Sequence, residues 1–435
     1  MRNCLPVLLV VVAAAAGQWV DTTLTAPGAP WRFCHNPTND KVYCTLLDSA
    51  RIVVIDGATN AVLATVPVGA EPQDVVYVAN GNKVYCSNAH GQSITVIDGV
   101  ANTVLTTIDV GEYLWRLAYN SVNNRIYCHT WGGPSRVFVI DCAGDSVIDT
   151  VSVGVEARVL LHNPANNRLY CANRGDSSLT VIDGASSEVI ASVRVGRNSE
   201  ALCIDESRNR VWVANQDDNT VSVVGSDNTV IATITVGGRP QALCRDPQDD
   251  RVYVANYGDN TVSAVDCATN NLIASVSVGS GPYDLKYDAA SNDVFVANHG
   301  GSSVTVIDCA TNTVPMTLPV GTQPYFLGSN PTDGKIYSAN TGDGTITVIR
   351  NGAGIEEAHG VSIAMQSVLA SVARGVLFVP SSLLTTSHSL LSTDGRNVMD
   401  LHPGPNDVSR LAPGVYFALF GGGLAVSVRK VVIQR

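Results

Sequence analysis

An all-β fold assembled from eight copies of one four-stranded unit is what this sequence predicts, and three observations carry it. An aromatic residue recurs in a short apolar run at Tyr43, Tyr85, Tyr127, Tyr170, Trp212, Tyr253, Phe295 and Tyr337, every 41 to 43 residues. A run rich in β-branched residues follows each one: IVVID, ITVID, VFVID, LTVID, VSVVG, VSAVD, VTVID and ITVIR. A further run closes with Val-Gly at Gly69, Gly111, Gly154, Gly196, Gly237, Gly279 and Gly321. The stretch Arg251 to Gly279 shows three of the four strands and the turns between them. Four short strands in a period of about 42 residues mark a propeller blade.

The segments follow in order. Residues 1–17 join Arg2 to an apolar core from Leu5 to Ala16 that ends in small residues. That is the layout of a secretory signal peptide cleaved near Ala16 or Gly17; a retained N-terminal anchor is the alternative. The apolar run of about 12 residues is shorter than the roughly 20 that a membrane-spanning helix needs, and no later stretch is a candidate for a transmembrane segment. Residues 18–350 carry the repeats. Eight copies hold the first three strands, but only seven of them hold a Val-Gly fourth strand, and the last copy stops at Ile349-Arg350. The run Trp19 to Ala26 reads like the missing strand. It is expected to pair with the third strand of the last copy and close the ring, which removes exposed sheet edges. Seven blades plus an irregular terminal copy is the alternative.

Within a unit, alternation such as Thr261-Val262-Ser263-Ala264-Val265 separates small polar from apolar side chains. Turns such as NPANNR and DPQDDR are rich in residues that favour turns for backbone reasons. Asn88, Asn173, Asn215, Asn256, Asn298 and Asn340 end the second strand and are expected to hold the next loop by local hydrogen bonds. The recurring Asp56, Asp98, Asp141, Asp183, Asp266 and Asp308 read as turn caps. Residues 351–362 read as a Gly-rich linker, and 363–435 as a small β-sandwich-like domain.

Composition narrows the function. The net charge of -11 argues against nucleic-acid binding, which needs a cationic footprint. Eleven cysteines in an exported chain would ordinarily suggest disulfides. Yet Cys44, Cys86, Cys128 and Cys171 stand where later repeats have Val213, Val254 and Val296, so they read as small buried hydrophobes. A Cys34–Cys44 bridge across a hairpin is the competing expectation.

The runs VYVANYGDNTVSAVD and VFVANHGGSSVTVID resemble the YVTN-type β-propeller repeats of bacterial and archaeal surface proteins, in phase over residues 19–350. The resemblance implies a secreted or surface-located propeller with a binding or structural role. The segments DGRNVMDL, LAPGVYFALF and VRKVVIQR resemble the C-terminal sorting domain of type IX secretion cargo, through Gly395-Arg396, Leu411 to Tyr416 and Arg429-Lys430. That resemblance implies secretion machinery as a partner and export through an outer membrane. The first part of that domain has no clear match, and a plain β-sandwich is the alternative.

No P-loop, GxGxxG turn, HExxH, GxSxG or CxxC pair is present, so no catalytic residue, metal or cofactor is implied. His90, His129 and His299 read as dispersed, solvent-exposed turn residues rather than ligands. Function in a propeller belongs where blades differ. The loop before each first strand leads to the central channel, and there the residues change: Trp31-Arg32, Gln73-Asp74, Trp115-Arg116, Glu156 with Arg158, Asn198 with Glu200, Arg239 with Gln241, Tyr283-Asp284, and Tyr325. Aromatic faces mixed with Arg and carboxylates suit a polar ligand such as a glycan or peptide. The plainer reading is that they plug and hydrate the channel mouth. The expected function is an exported binding or scaffold module. The alternative is a lactonase-like hydrolase with its site at the channel; a redox propeller is weaker, since no haem-attachment motif occurs.

Overall fold

The computed structural model describes residues 18–351, 376–379, 388–392, 397–402, 404–407, 410–411, 414–422 and 425–433. The chain divides into two compact units, Met1–Ile355 and Glu356–Arg435. The described part of the first unit is eight four-stranded antiparallel sheets. Their strands are named a to d from the inside outwards; blade 6, for example, runs Pro240–Asp246, Arg251–Asn256, Thr261–Asp266 and Leu272–Ser277. The a-strands touch in sequence from blade 1 to blade 8 and back to blade 1, so the ring is closed. The eight-bladed expectation holds, and the alternative of seven falls.

Burial explains the strand chemistry. The b-strands are buried on both faces, and their aromatics from Tyr43 to Tyr337 are inaccessible to solvent. The core clusters each draw on two neighbouring blades, as where Tyr253 and Val262 of blade 6 meet Leu285 and Val296 of blade 7. Each fully buried Val or Ile contributes about 1.5–3 kcal/mol. The d-strands bury at most a single side chain, such as Val276, and leave their Thr, Ser and Ala partly or fully exposed.

The second-strand Asn does more than hold its loop. Asn256 Nδ2 donates to Thr261 Oγ1 at 3.0 Å and Ser263 Oγ at 2.9 Å, tying strand b to strand c. Asn88, Asn173, Asn215, Asn298 and Asn340 repeat this pair of bonds. The Val-Gly glycine follows from it: a Cβ on Gly237 would stand 2.6 Å from the Asn256 side chain. The Asp caps form as expected, Asp266 accepting from Thr269 N–H and Oγ1–H, both at 2.7 Å.

Blades are locked to one another by a basic residue and a tyrosine two positions apart on strand b. Lys41 donates to the Gly99 and Val100 carbonyls of blade 2, and Tyr43 donates to Gly99 and Asn102 in the same turn. Lys83 with Tyr85, Arg125 with Tyr127, and Arg251 with Tyr253 do the same. Arg168, Arg210 and Lys335 supply the basic half at three further junctions. Blade 5 has Trp212 in the tyrosine position, and blade 7 departs at both, with Asp293 and Phe295.

The departure has a topological cause. Blade 8 takes its outer strand from Trp19–Thr25, which pairs antiparallel with Thr345–Arg350, so no c–d turn exists there to cap. Both chain ends of the propeller lie there instead. Gln18 Nε2 donates to Asp293 Oδ2 at 2.6 Å and to Asn351 Oδ1 at 3.0 Å. Arg350 reaches back to Asp21 at 3.0 Å.

The ten cysteines from Cys34 to Cys309 are free thiols. The Cys34–Cys44 bridge does not form, because register forbids it. Cys34 stands opposite Tyr43, and Cys44 opposite Phe33. One residue out of register turns a side chain to the other face. Cys34 thus packs between blades 1 and 2, and Cys44 between blades 8 and 1.

The second unit contains a four-stranded antiparallel sheet in the order Asn397–Leu401, His388–Ser392, Gly414–Gly422, Ala425–Ile433, and a pair of Val376–Val379 with Gly404–Asp407. Arg429 and Lys430 fall in its last strand. Residues 1–17, expected to be a signal peptide, Gly395-Arg396 and most of the expected linker lie outside the described residues.

A chain without residues 18–26 should lose several kcal/mol, from strand hydrogen bonds worth about 1 kcal/mol each. Thermal melting should fall by several degrees, and size-exclusion should show concentration-dependent association through the bared edge. Unchanged melting and a monomeric profile would remove the clasp from the account.

Candidate functional site

Two backbone devices build one end of the channel. In every blade the b–c turn donates an N–H to the loop before the a-strand: Leu47 to Ala29, Ala89 to Glu71, Trp131 to Tyr113, Arg174 to Glu156, Gln216 to Asn198, Tyr257 to Arg239, His299 to Gly281 and Thr341 to Gln323, all within 2.8–3.1 Å. Two variable positions per blade therefore share a rim. In every blade, too, the pairing of strands a and b shifts register just after the first a-strand residue. Such a bulge re-aims side chains. It interrupts the alternation at Trp31-Arg32, Trp115-Arg116 and Tyr325-Phe326.

An aromatic cluster fills one side of the mouth. Trp31 lies 4.8 Å from both Tyr325 and Phe326 between ring centroids. Tyr283 meets Tyr325 edge-on at 4.8 Å, and His299 packs on Tyr325 at 4.3 Å. Opposite, Trp115 stacks on Trp131 at 4.3 Å. Trp131 is 46% exposed, so this stack offers an open face.

The charged groups divide into occupied and unoccupied. Arg158 Nε donates to Glu200 Oε1 at 2.7 Å, and Gln241 donates to the same oxygen at 3.1 Å. Burial opposes the Arg158 charge, but Glu200 and Tyr283 together more than offset it and hold the guanidinium above its usual range. Asp74 is wedged between blades 2 and 3, its Oδ2 accepting the Leu117 N–H at 3.0 Å. Asp284 takes the Leu327 N–H of blade 8 at 2.9 Å in the same way. Arg32 and Arg116 have no such partner: among the described residues the only ion pair in the channel is Arg158 with Glu200. The Arg32 guanidinium carbon lies 3.7 Å from the Phe326 centroid, and that of Arg116, from across the channel, 5.5 Å. Burial lowers Arg32 against the pull of Asp74 and Asp284. Burial and the adjacent Arg32 push Arg116 down to about 9, which leaves it charged at neutral pH.

Of the residues expected from sequence, Trp31, Arg32, Asp74, Trp115, Arg116, Arg158, Glu200, Tyr283, Asp284 and Tyr325 converge on the channel. Glu156 and Arg239 do not: they are exposed on the rim, Arg239 lying over Tyr257 at 5.4 Å. Phe326, Trp131 and Tyr257 were missed. Phe326 follows from the Trp31-Arg32 alignment carried into blade 8, and the other two from the varying residue after the second strand. The reading of His129 as an exposed turn residue is wrong. It lies in strand Arg125–Thr130, fully buried, where neighbouring blades have Ser87 and Ala172. His90 is exposed and pairs with Glu71. No group of three or more His, Cys, Asp or Glu that could hold a metal occurs among the described residues, and no described helix is long and apolar enough to cross a membrane.

The chain is an eight-bladed β-propeller carrying a second all-β unit. No protein-family description and no curated protein matches it. Its likeness is to solved structures. One is dihydro-heme d1 dehydrogenase NirN in complex with DHE, at 12% identity and a TM-score of 0.61 over 76% of this chain and 78% of that one. Another is Kuenenia stuttgartiensis hydrazine synthase, at 17% identity and a TM-score of 0.54 over 77% of this chain and 98% of that one. At these identities what is shared is the fold.

His129 makes the site acid-sensitive. Burial, with Arg116 and Arg158 nearby, pushes it down to about 3, against about 6.5 in an unfolded chain. Above pH 6.5 neither state is protonated. Below it only the unfolded state gains the proton, so stability falls by roughly 1.4 kcal/mol per pH unit until about pH 3. Between pH 7 and 5 the native protein should lose about 2 kcal/mol more than His129→Ala, read from urea midpoints. Equal losses would remove His129 from the pH dependence.

Proposed function

We propose that this protein is an exported binding or scaffold propeller that takes a protein or glycan ligand at the a-strand end of its channel. The observation that carries the reading is the contrast between frame and rim. The residues that lock blades recur around the ring, whereas the bulged a-strand positions run Trp31, Gln73, Trp115, Arg158, Glu200, Gln241, Tyr283, Tyr325, mixing aromatic, amide, basic and acidic groups around one ring. Aromatic faces beside directed polar groups suit recognition. The carboxylates offer little to catalysis: Asp74 and Asp284 are tied to backbone N–H groups, and Glu200 to Arg158 and Gln241. A general base needs a free lone pair within reach of substrate. NirN is named a dehydrogenase and the Kuenenia protein a synthase; a shared propeller carries neither activity over.

Export is part of the same proposal. It rests on the N-terminal run Leu5 to Ala16, on the YVTN-like repeats, and on the sorting-like segments at Leu411 to Tyr416 and Arg429-Lys430. The expected location is the cell surface or the medium.

Two experiments bear on this. Purified protein screened against glycans, peptides and lactones should bind without turnover, and Arg158→Ala and Glu200→Ala should weaken binding about tenfold or more through loss of a charge-assisted pair. Lactone hydrolysis abolished by those changes would make it an enzyme. Removal of Ser367 to Arg435 should hold the protein in the periplasm, by protease accessibility on intact cells; unchanged surface display would defeat the sorting role.

A further inference from the structure

Most charged side chains lining the channel are accounted for, and two are not. Arg158 has Glu200, while Asp74 and Asp284 serve backbone N–H groups. Arg32 and Arg116 come from blades 1 and 3, meet at the Phe326 ring, and have no ion-pair partner among the described residues. Two like charges gathered in a half-buried setting repel each other; burial and the neighbouring Arg32 depress the Arg116 guanidinium, and the more distant Asp74 and Asp284 offset this only in part. Proteins keep such an arrangement cheaply only when an anion completes it, since guanidinium forks bind a carboxylate with short, charge-assisted hydrogen bonds.

The surroundings say what the anion is attached to. The Trp115–Trp131 stack, with Trp131 open to solvent, lies on the Arg116 side of the mouth, and Trp31, Tyr283 and Tyr325 on the other. Between them stand the amides of Gln73, Gln241 and Gln216; Gln216 donates to Gln241 at 2.6 Å. Flat apolar faces ringed by neutral donors and acceptors fit a pyranose, which has apolar faces and a hydroxylated edge.

We propose that Arg32 and Arg116 form an anion seat for the carboxylate of an acidic sugar, a uronic acid residue at the end of a glycan, whose ring lies against the aromatic walls. This rests on the channel-end binding reading above and specifies its ligand class. The test titrates the full mature protein by calorimetry with oligogalacturonate, its methyl ester, a neutral galactan oligomer and an acidic peptide. Oligogalacturonate should bind, the ester about ten- to a hundredfold more weakly, as loss of charged hydrogen bonds predicts. Arg32→Gln and Arg116→Gln should lose the acidic sugar to the same degree. Without ligand the two variants should keep a single cooperative melting transition and the native circular dichroism; that readout separates lost binding from failed folding. Equal binding of galactan and uronate, unaffected by the variants, would overturn the anion seat and leave a glycan-binding propeller. Arginine-dependent capture of the peptide but not the sugar would overturn the sugar assignment. Binding of none of the probes would overturn both readings.

Discussion

The ring depends on the reach of a basic b-strand residue into the next blade, joined at four junctions by a tyrosine two positions on. Apolar packing alone would let neighbouring sheets slide, since Val and Ile surfaces fit in several offsets. Directed hydrogen bonds to a turn's carbonyls permit one offset. Tyr43 and Lys41 fix the turn at Gly99, and Lys335 in blade 8 fixes the turn at Ala58 in blade 1, so the constraint passes from blade to blade at every junction but that of blades 7 and 8. Asn36, Asn120 and Asn163 add a second tie, each side chain reaching an Asn of the next blade. Buried donors and acceptors satisfied in this way specify a geometry as well as stabilise it.

Most of this frame was legible in the sequence, because it repeats. The aromatic period, the third-strand runs and the Val-Gly closures required a blade, and the missing eighth Val-Gly strand pointed to Trp19–Ala26. What escaped was the meaning of exceptions. Asp293 and Phe295 stand where other blades have Lys or Arg and, in most, Tyr; that single break marks the junction where the chain ends meet. The Cys34–Cys44 question turned on pairing register, which a one-residue offset reverses, and spacing alone does not report it.

The site was legible only as a rim. Alignment of the loops found the residues that differ, and ten of them do converge. Glu156 and Arg239 came along with the alignment because they precede the a-strand, where left-handed backbone, with φ of 54° at both, turns their side chains outward. Which cations are paired could not be read in one dimension. Asp74 looks like an ion-pair partner for Arg32 or Arg116, but its Oδ2 takes the Leu117 N–H at the bulge and it acts on the two arginines only through space. His129 was misjudged for a related reason: a strand position that holds Ser or Ala in neighbouring blades gives no hint that imidazole is buried there.

The clasp at Trp19–Thr25 also sets the order of events in folding. Its partners lie at Thr345–Arg350, so Asp21 waits for Arg350 across 329 residues of chain. Seven blades can form from local hairpins as the chain emerges, each stacking on the one before. The eighth is complete only when the last repeat has been made and the earliest segment is still free to join it. A chain interrupted before residue 345 would therefore remain an open arc with a bare strand at one end. Closure acts as a check that the whole ring has been delivered, at the entropic cost of joining the most distant segments last.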